Sequence, residues 1–566
     1  MNQVKRLINS KILTGADLLF ESLASQGVKS VFGCHGDTML PLYDVISDNP
    51  YINFVQLKHE QAAVHAADGY ARATGKPGVA IISTASGVTN GVTGIATAYS
   101  DSVPIVVITA QLFFNKIENE TGDDLNFIGI NVPITKHIFT VKEVNDLAGV
   151  IQEAIHIAAE GRPGPVIIEL SKEVLTDHPV EMSSKLSVIN SSKLYHDKSF
   201  EKAVEYIEKA RKPVFFIGGG TIISGSSAIL SEVVRQSGIP VVSSLMGLGA
   251  LSTADPLHLG MLGMHGTFAA NKAVHHADLL VSIGVRFSDR VTGKISGFSP
   301  SSTKIHVDID PAEINKIIRI DLPIVSDARE FLYFLKERLD FQLVQENIKD
   351  WVAEATVWQR TVPRFDSSTS VLRPQNVIKM LDEFSSDETI VVTDVGQHQI
   401  WTAHNYHFTK PRTFLTSGGL GTMGFGLPAA IGAAVASPEK QIICVTGDGS
   451  FQMNLQELMT AVSYRLPIKI AIMNNGYLGM VRQWQEMFYE RRYSSVKMTS
   501  PDFVKLASAY GIVGYHASTE EEARDVIAKA FQEDGPVLME FNVMEEENVY
   551  PIVPPNHSND QLVLSR

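Results

Sequence analysis

Short runs of apolar, mostly β-branched residues alternate along the chain with longer stretches in which apolar residues recur at helical spacing. Unbroken apolar runs are typical of strands in parallel sheets, because helices cover both faces of such sheets. The longer stretches predict helices, for example over residues 59–73, 146–160 and 455–464. This alternation predicts an α/β fold built from doubly wound parallel sheets. Strands are predicted at 79–83, 104–109, 165–170, 213–217, 278–283, 389–393, 441–446 and 468–473.

Two polar stretches divide the chain into three parts of similar length. Residues 182–199 are rich in Ser, Lys and Asn, and residues 339–372 are mixed and polar, so both are predicted to be linkers. The last residues include Pro551, Pro554 and Pro555 and are predicted to form an extended or mobile tail. The predicted parts are three domains at 12–180, 190–345 and 370–550, followed by a C-terminal tail at 551–566.

The composition excludes several classes of protein. Hydrophobic residues make up 44% of the 566 residues and charged residues 19%, which excludes a disordered chain. The net charge of −14 disfavours a nucleic-acid partner, which would require a basic face. Cys34 and Cys444 are the only cysteines, which argues against a disulfide framework and fits a reducing compartment. With neither a signal-peptide pattern nor an apolar stretch of membrane-spanning length, we expect a cytoplasmic protein without membrane contact.

The most specific chemical signal lies in the last third of the chain. The predicted strand 441–446 runs into a Gly-Asp-Gly-Ser motif (447–450), and the next strand ends at Asn474 and Asn475. Asp448 and Asn475 are therefore expected at the carboxyl ends of neighbouring strands, where such folds bind ligands. Carboxylate and amide oxygens suit Mg²⁺, and the glycines allow a phosphate to approach the backbone. The alternative interpretation is a tight turn after a buried strand.

Two further motifs carry less information when each is taken alone. Glu60 stands at the start of a predicted helix, where an acidic residue also stabilises the helix dipole. Gly419, Gly421 and Gly424 form a G-x-G-x-x-G pattern that is typical of dinucleotide binding. That second interpretation is weak, because no acidic residue ends a following strand at the ribose-binding distance.

Together these motifs resemble those of the acetohydroxyacid (acetolactate) synthase large subunit, a family of thiamin-diphosphate- and FAD-dependent carboligases. The resemblance runs from about residue 15 to about residue 550 and is most specific at 59–74, 161–165, 394–399 and 479–485. It implies three doubly wound parallel-sheet domains, which are pyrimidine-binding, central FAD-type and diphosphate-binding. It also implies an active site shared between two subunits, so that a homodimer is the smallest active form and a homotetramer is the alternative. A regulatory small subunit is compatible with the resemblance.

The resemblance implies roles for particular residues in thiamin diphosphate and metal binding. Glu60 would act on the cofactor pyrimidine, the Gly421 carbonyl would accept from its amino group, and Met423 would hold the cofactor bent. Mg²⁺ would be bound by Asp448, Asn475 and the Tyr477 carbonyl. The residues implied to contact the diphosphate are Gly396, Gln397, His398, Gly449, Ser450 and Met480.

The central domain is implied to hold FAD in a mostly structural role, which does not require redox chemistry. The alternative for its glycines is ordinary turns. The residues implied to contact FAD are Arg162, Gly218, Gly219, Gly220, Leu245, Met264, His265, Gly284, Arg286, Arg290, Asp308, Ile309 and Asp327.

The chain departs from the family on the side expected to bind substrate. The family's Tyr-Pro-Gly-Gly-Ala is Cys-His-Gly-Asp-Thr here (34–38), and its Phe-Gln-Glu aligns with Gly-Asp-Asp (122–124). Extra carboxylates repel a second keto-acid anion and so disfavour it as the acceptor. They favour a neutral acceptor whose hydroxyl groups form hydrogen bonds with Asp123 or His35. His35 is also a candidate proton donor, unless it only pairs with Asp37.

The predicted reaction is decarboxylation of pyruvate and transfer of the two-carbon acetyl (hydroxyethyl) unit to a second carbonyl. Trp484 and Arg290, which the resemblance assigns to the acceptor pocket, favour a 2-oxo acid, whereas the altered loops favour a ketone or keto-sugar. Alternatives are a thiamin-dependent C–C hydrolase of a cyclic diketone, a flavin oxidase and a catalytically silent paralogue. The residues predicted to carry catalysis are Glu60, His35, Asp123, Gly421, Met423 and Trp484.

Overall fold

The computed structural model describes residues 13–83, 86–111, 127–179, 198–360 and 371–565, and the strands within these ranges form three six-stranded parallel sheets. The predicted α/β class is confirmed, and a strand is present at each of the eight predicted positions. The strands are β1 (Ser30–Gly33), β2 (Asn53–Gln56), β3 (Gly78–Ile82), β4 (Ile105–Gln111), β5 (His137–Val141), β6 (Pro165–Ser171), β7 (Pro213–Ile217), β8 (Val241–Ser243), β9 (His258–Met261), β10 (Leu279–Ile283), β11 (Thr303–Asp308), β12 (Leu322–Val325), β13 (Ile390–Thr393), β14 (Phe414–Leu415), β15 (Ile442–Gly447), β16 (Ile468–Asn474), β17 (Val513–Ala517) and β18 (Val537–Asn542).

Strand order places a reversal point near the middle of each sheet. The first sheet has the order β2-β1-β3-β4-β6-β5, and the third has the equivalent order β14-β13-β15-β16-β18-β17. The second sheet has the order β12-β11-β10-β7-β8-β9. The order reverses between β1 and β3, between β7 and β10, and between β13 and β15. Parallel sheets bind ligands in the crevice at the carboxyl ends of such strands.

Helices connect the strands and cover the sheets, as the crossover connections of parallel sheets require. Within the described residues none of them is long and apolar enough to cross a membrane. The helices are α1 (Gly15–Ser25), α2 (Leu40–Ile46), α3 (Glu60–Thr74), α4 (Ser86–Asp101), α5 (Phe127–Asn131), α6 (Leu147–Ala159), α7 (Lys172–Thr176), α8 (Lys198–Lys209), α9 (Gly219–Ile223), α10 (Ser227–Ser237), α11 (Phe268–His276), α12 (Asp289–Thr292), α13 (Ala328–Arg338), α14 (Phe341–Gln359), α15 (Pro374–Glu383), α16 (Gln397–Asn405), α17 (Gly426–Ala436), α18 (Asp448–Phe451), α19 (Leu458–Ser463), α20 (Gly479–Phe488), α21 (Phe503–Ala509) and α22 (Glu520–Ala530).

The second predicted linker is wrong over most of its length, because residues 341–359 form helix α14. Val344, Ile348, Trp351 and Ala355 lie on one face of this helix and are buried in the core around the second sheet. The polar residues on its other face dilute the apolar pattern, which explains the mistaken interpretation. The predicted domain boundary at residue 345 falls inside this helix.

The described part of the tail is extended but packed. Asn559 is buried and its Nδ2 donates to Asn271 Oδ1 at 3.0 Å and to the Val291 carbonyl at 3.1 Å. Ile552 is buried and pairs with Val563 in an isolated antiparallel bridge. The sequence of this segment gives little indication of such packing, because the segment forms no helix or strand whose periodic apolar pattern could reveal its buried side.

By contacts within the chain, the described residues group into two compact units. The first contains those up to residue 179 together with Gly419–Glu439 and Asn454–Ile468, and the second contains the remainder. In the first unit α17 crosses α3 at backbone distance. A Cβ on Gly69 would lie 2.2 Å from the Ala429 carbonyl oxygen, and one on Gly432 would lie 1.9 Å from that of Ala66. Glycine at both positions is therefore required for this crossing.

We expect Gly432→Val to lower the free energy of unfolding by about 1–3 kcal/mol, because any side chain there forces the backbones of α3 and α17 apart. Chemical denaturation would measure the change. The control is Gly149→Ala in α6, where a Cβ meets no atom within 4 Å and the change should be neutral or stabilising. Equal effects of the two substitutions would contradict the close crossing.

Candidate functional site

In the first unit the carboxylate of Glu60 is held at the start of α3. It accepts hydrogen bonds from Ser83 Oγ at 2.9 Å and from Asn90 Nδ2 at 3.0 Å. Burial raises the pKa of Glu60, but the hydrogen bonds from Asn90, its own backbone N–H and Ser83 outweigh burial and lower the pKa overall. The side chain is therefore ionised and fixed in orientation. No sequence motif predicted this role for Ser83 or Asn90.

His35 lies two residues after β1, on a loop that packs against Ser83. A Cβ on Gly36 would be 2.5 Å from Ser83 Cβ, which places this loop beside the residue that binds Glu60. The exposed His35 ring lies over Tyr43, with ring centroids 3.9 Å apart. Asp37 accepts the backbone N–H of Thr38 at 2.8 Å. His35 and Asp37 therefore each contact another residue, which does not favour the alternative in which they only pair with each other. Asp123 lies outside the described residues.

The glycine-rich loop before α17 is anchored within the first unit. The Gly419 N–H donates to Asp101 Oδ1 at 2.6 Å, and the hydroxyl groups of Thr422 and Thr97 are 2.7 Å apart. Gly421 has a φ of 73°, which disfavours any side chain there. Met423 follows this glycine and is partly exposed. The loop thus presents Gly421 and Met423 on a fixed backbone.

In the second unit Asp448 and Asn475 come together at the carboxyl ends of β15 and β16. The Asp448 carboxylate accepts from Ser500 Oγ at 3.1 Å and from the Asn475 backbone N–H. Burial raises the pKa of Asp448 to about 6 despite these bonds. No Lys, Arg or His in the described ranges forms an ion pair with it, so a bound cation fits this buried carboxylate. Tyr477, the third expected ligand, follows two residues after Asn475 and pairs with Lys497 in an isolated bridge.

Residues expected to contact the diphosphate surround the reversal point of the third sheet. The buried His398 ring packs between two glycines: a Cβ on Gly396 would be 2.9 Å from its Cε1, and one on Gly447 would be 3.0 Å from its Nδ1. Burial lowers the pKa of His398 to about 3, and its Nε2 has no hydrogen-bond partner within the described residues. An unpartnered ring nitrogen at this crevice is compatible with a polar ligand.

Three other residues predicted to contact the diphosphate, and Trp484 of the predicted acceptor pocket, lie on the loops and helices that follow β15 and β16. Ser450 Oγ accepts the Gly447 N–H at 3.2 Å, and Gly449 packs beneath Leu478. Met480 and Trp484 are both on α20, and Trp484 is 43% exposed.

The residues expected to bind FAD, with one exception, lie in the second unit. The glycines after β7 and β10 pack against each other, since a Cβ on Gly218 would be 2.2 Å from the Gly284 carbonyl oxygen and one on Gly220 would be 2.6 Å from Gly284 Cα. Gly219 lies between them. This contact explains Gly218, Gly220 and Gly284 as packing residues at the reversal point of the second sheet.

Beyond these glycines, several predicted FAD residues already make contacts within the chain. The Met264 N–H donates to the Arg290 carbonyl at 2.6 Å, and the buried Asp308 accepts from the Asp310 N–H at 2.9 Å. His265 has an unpartnered Nδ1 within the described ranges, which fits a polar ligand there. The remaining residues lie on the 3₁₀ turn after β8 (Leu245), after β10 (Arg286), after β11 (Ile309) and at the start of α13 (Asp327). The exception is Arg162 of the first unit, whose Nε donates to Ser102 Oγ at 2.9 Å.

Three family descriptions match successive parts of the chain. Residues 13–129 match "Thiamine pyrophosphate enzyme, N-terminal TPP binding domain", residues 200–335 match the central domain of the same enzymes, and residues 394–541 match their C-terminal TPP binding domain. The last match includes the G-x-G-x-x-G loop and so favours the thiamin interpretation over dinucleotide binding. Thiamine pyrophosphate is another name for thiamin diphosphate.

Curated relatives align over almost the full length. The acetolactate synthase isozyme 3 large subunit of Escherichia coli (strain K12) is 42% identical, and the alignment covers 98% of this chain and 99% of the relative. The acetolactate synthase large subunit of Haemophilus influenzae is 41% identical, with 98% and 99% covered, and a probable large subunit of Methanococcus aeolicus is 41% identical, with 96% and 94% covered. The chain belongs to the acetolactate synthase large-subunit family and is a thiamin-diphosphate-dependent carboligase of that type.

Proposed function

We propose that this enzyme decarboxylates pyruvate and joins the resulting two-carbon unit to a second 2-oxo acid. The proposal is supported by relatives that are named acetolactate synthases. The observation that carries the proposal is the ionised Glu60 carboxylate, oriented by Ser83 and Asn90. An unperturbed, solvent-exposed glutamate would not need two side-chain donors to fix it. Two donors that fix the carboxylate suit proton exchange with a bound ring, because such exchange requires the carboxylate within hydrogen-bond reach of the ring.

Thiamin diphosphate supplies, when bound, the nucleophilic carbon and the electron sink that decarboxylation requires. Glu60 is proposed to hold a proton between its carboxylate oxygen and a ring nitrogen of the pyrimidine. The anchored loop would present the Gly421 carbonyl as an acceptor and Met423 as an apolar support. The lowered pKa of Glu60 keeps it ionised before the cofactor binds.

Mg²⁺ is proposed to bind Asp448, Asn475 and the Tyr477 carbonyl. The described residues contain no cluster of three or more His, Cys, Asp or Glu side chains suited to a metal, so a metal at this place depends on one carboxylate, an amide and a backbone oxygen. Oxygen-only sites of this kind suit Mg²⁺, which usually shares phosphate ligands. The residues proposed to contact the diphosphate are Gly396, Gln397, His398, Gly449, Ser450 and Met480. The residues at the reversal point of the second sheet are proposed to hold FAD.

The acceptor is proposed to be a 2-oxo acid rather than a ketone or keto-sugar. The relatives' names support the former, and Arg290 and Trp484 are retained where the resemblance locates the acceptor pocket. The polar loop at 34–38 favours a neutral acceptor, but the names of the relatives reported above do not support that choice. A silent paralogue is not favoured, since Glu60, Asp448 and Asn475 are all present. A C–C hydrolase is not favoured either, because the relatives reported above are named acetolactate synthases.

The relatives are named "large subunit", which supports a smaller partner subunit for this chain as well. We also propose a homodimer as the smallest active form. The free, buried Cys34 and Cys444 are compatible with a reducing compartment such as the cytoplasm.

We expect Glu60→Gln to lower kcat for CO₂ release from labelled pyruvate by about 10²–10⁴-fold, because the amide cannot exchange the proton. The fold should be retained, since the amide oxygen still accepts from Asn90 or Ser83. Glu173→Gln, an exposed substitution in the same unit, serves as the control and should leave the rate unchanged. Full activity of Glu60→Gln would contradict the proposed role of Glu60, whereas no CO₂ release by the unsubstituted protein would support the silent paralogue.

We expect labelled pyruvate alone to yield acetolactate and CO₂ when the protein is supplied with thiamin diphosphate, Mg²⁺ and FAD, as read by NMR. An added ketone or keto-sugar should not compete, because the proposed acceptor pocket binds a carboxylate. Slow self-condensation with fast labelled adducts on the ketone would contradict the proposed acceptor. Cleavage of a cyclic diketone without CO₂ would contradict the pyruvate donor.

A further inference from the structure

Three buried side-chain amides are linked by hydrogen bonds in a row that begins at the backbone of Val549 and ends at Asn475. Its members are Gln483 on α20, Gln397 at the start of α16, and Asn475 after β16. Gln483 is 0%, Gln397 3% and Asn475 7% exposed, so water does not compete for their hydrogen bonds. We call these three residues the amide relay.

The backbone of Val549 fixes the orientation of the first amide. The Val549 N–H donates to Gln483 Oε1 at 2.9 Å, and the Val549 carbonyl accepts from Gln483 Nε2 at 3.0 Å. The two ends of a side-chain amide are nearly the same size, so shape alone does not distinguish them. A backbone N–H and carbonyl cannot exchange places, and this pair therefore decides which end of Gln483 is oxygen.

The orientation is then passed to the second and third amides. Gln397 Nε2 donates to Gln483 Oε1 at 2.9 Å and to the Glu547 carbonyl at 3.0 Å. Both donors of Gln397 are thus used, and its Oε1 faces Asn475 Nδ2 at 3.4 Å. Contact of Gln397 with a diphosphate would therefore involve its backbone rather than its side chain.

Asn475 consequently has its nitrogen toward Gln397 and its oxygen on the other side. There Oδ1 accepts the Tyr477 N–H at 3.1 Å, and the Asn475 backbone N–H binds the Asp448 carboxylate. A Cβ on Gly479 would be 2.0 Å from Gln397 Oε1 and 2.9 Å from Asn475 Nδ2, so only glycine leaves room for this junction. A reversed Asn475 amide would instead present N–H groups on the side of Asp448 and Tyr477.

We propose that Gln483 and Gln397 are positioning residues that hold Asn475 Oδ1 toward a divalent cation. The inference rests on the proposed Mg²⁺ site and adds to it two residues that touch neither the metal nor a substrate. Only oxygen can ligate Mg²⁺ here, so losing the orientation lowers affinity without removing a ligand. Partners behind metal ligands typically change affinity by about 10–100-fold.

The test uses the full-length protein with saturating thiamin diphosphate and measures the Mg²⁺ dissociation constant by calorimetry, with Mn²⁺ and its EPR spectrum as a second probe. Gln483→Met, which keeps the volume but removes the amide, should weaken Mg²⁺ binding by about 10-fold or more. Activity should recover at high Mg²⁺ with an unchanged KM for pyruvate. Gln483→Glu should be closer to wild type, because burial favours a protonated carboxyl whose O–H replaces Nε2–H.

Gln375→Leu is the matched control. Gln375 is also buried, and its Nε2 donates to Glu547 Oε1 at 3.2 Å, but it is not part of the amide relay. The Gln375→Leu variant should have a lower melting temperature and an unchanged Mg²⁺ dissociation constant. If Gln483→Met lowers the melting temperature like Gln375→Leu and leaves the Mg²⁺ dissociation constant unchanged, the positioning role is wrong while the metal site stands. If the wild-type protein binds no Mg²⁺, the proposed metal site fails and the amide relay has no such role.

Discussion

Parallel pairing of strands is the constraint on which the candidate sites depend. In each sheet every strand ends at the same edge, and the chain must cross back by a helix before the next strand begins. Residues that directly follow a strand therefore meet although they are far apart in sequence. This is how Asp448 and Asn475 come together, and how the loop carrying His35 comes to lie against Ser83.

Close backbone contacts make these edges rigid. The glycines at 218, 220 and 284 allow two strand ends to touch, and Gly69 and Gly432 allow α17 to cross α3 without intervening side chains. Such contacts leave the loops little freedom, because any shift would push backbone atoms into each other. The loop with Gly421 and Met423 is anchored in a different way, by the Gly419–Asp101 and Thr422–Thr97 hydrogen bonds.

The functional side chains are oriented by groups that carry no chemistry of their own. Ser83 and Asn90 keep Glu60 ionised, and the amide relay together with the Tyr477 N–H orients the oxygen of Asn475. Both arrangements are buried, where each hydrogen bond is strong and an unpaired group is costly. The same burial raises the pKa of Asp448 to about 6, which is unfavourable for a carboxylate alone and suits one that meets a cation.

The sequence by itself determined the fold class, the eight predicted strands and the residues most specific to the thiamin family, because unbroken apolar runs and short glycine-acid motifs are local signals. It did not reveal helix α14, where a polar face masked the apolar one, or the packed tail, which has no periodicity. Nor did it reveal Ser83, Asn90 or Gln483 as partners of functional residues. Those contacts join positions 23, 30 and 86 residues apart, and only tertiary structure decides which buried polar groups face each other.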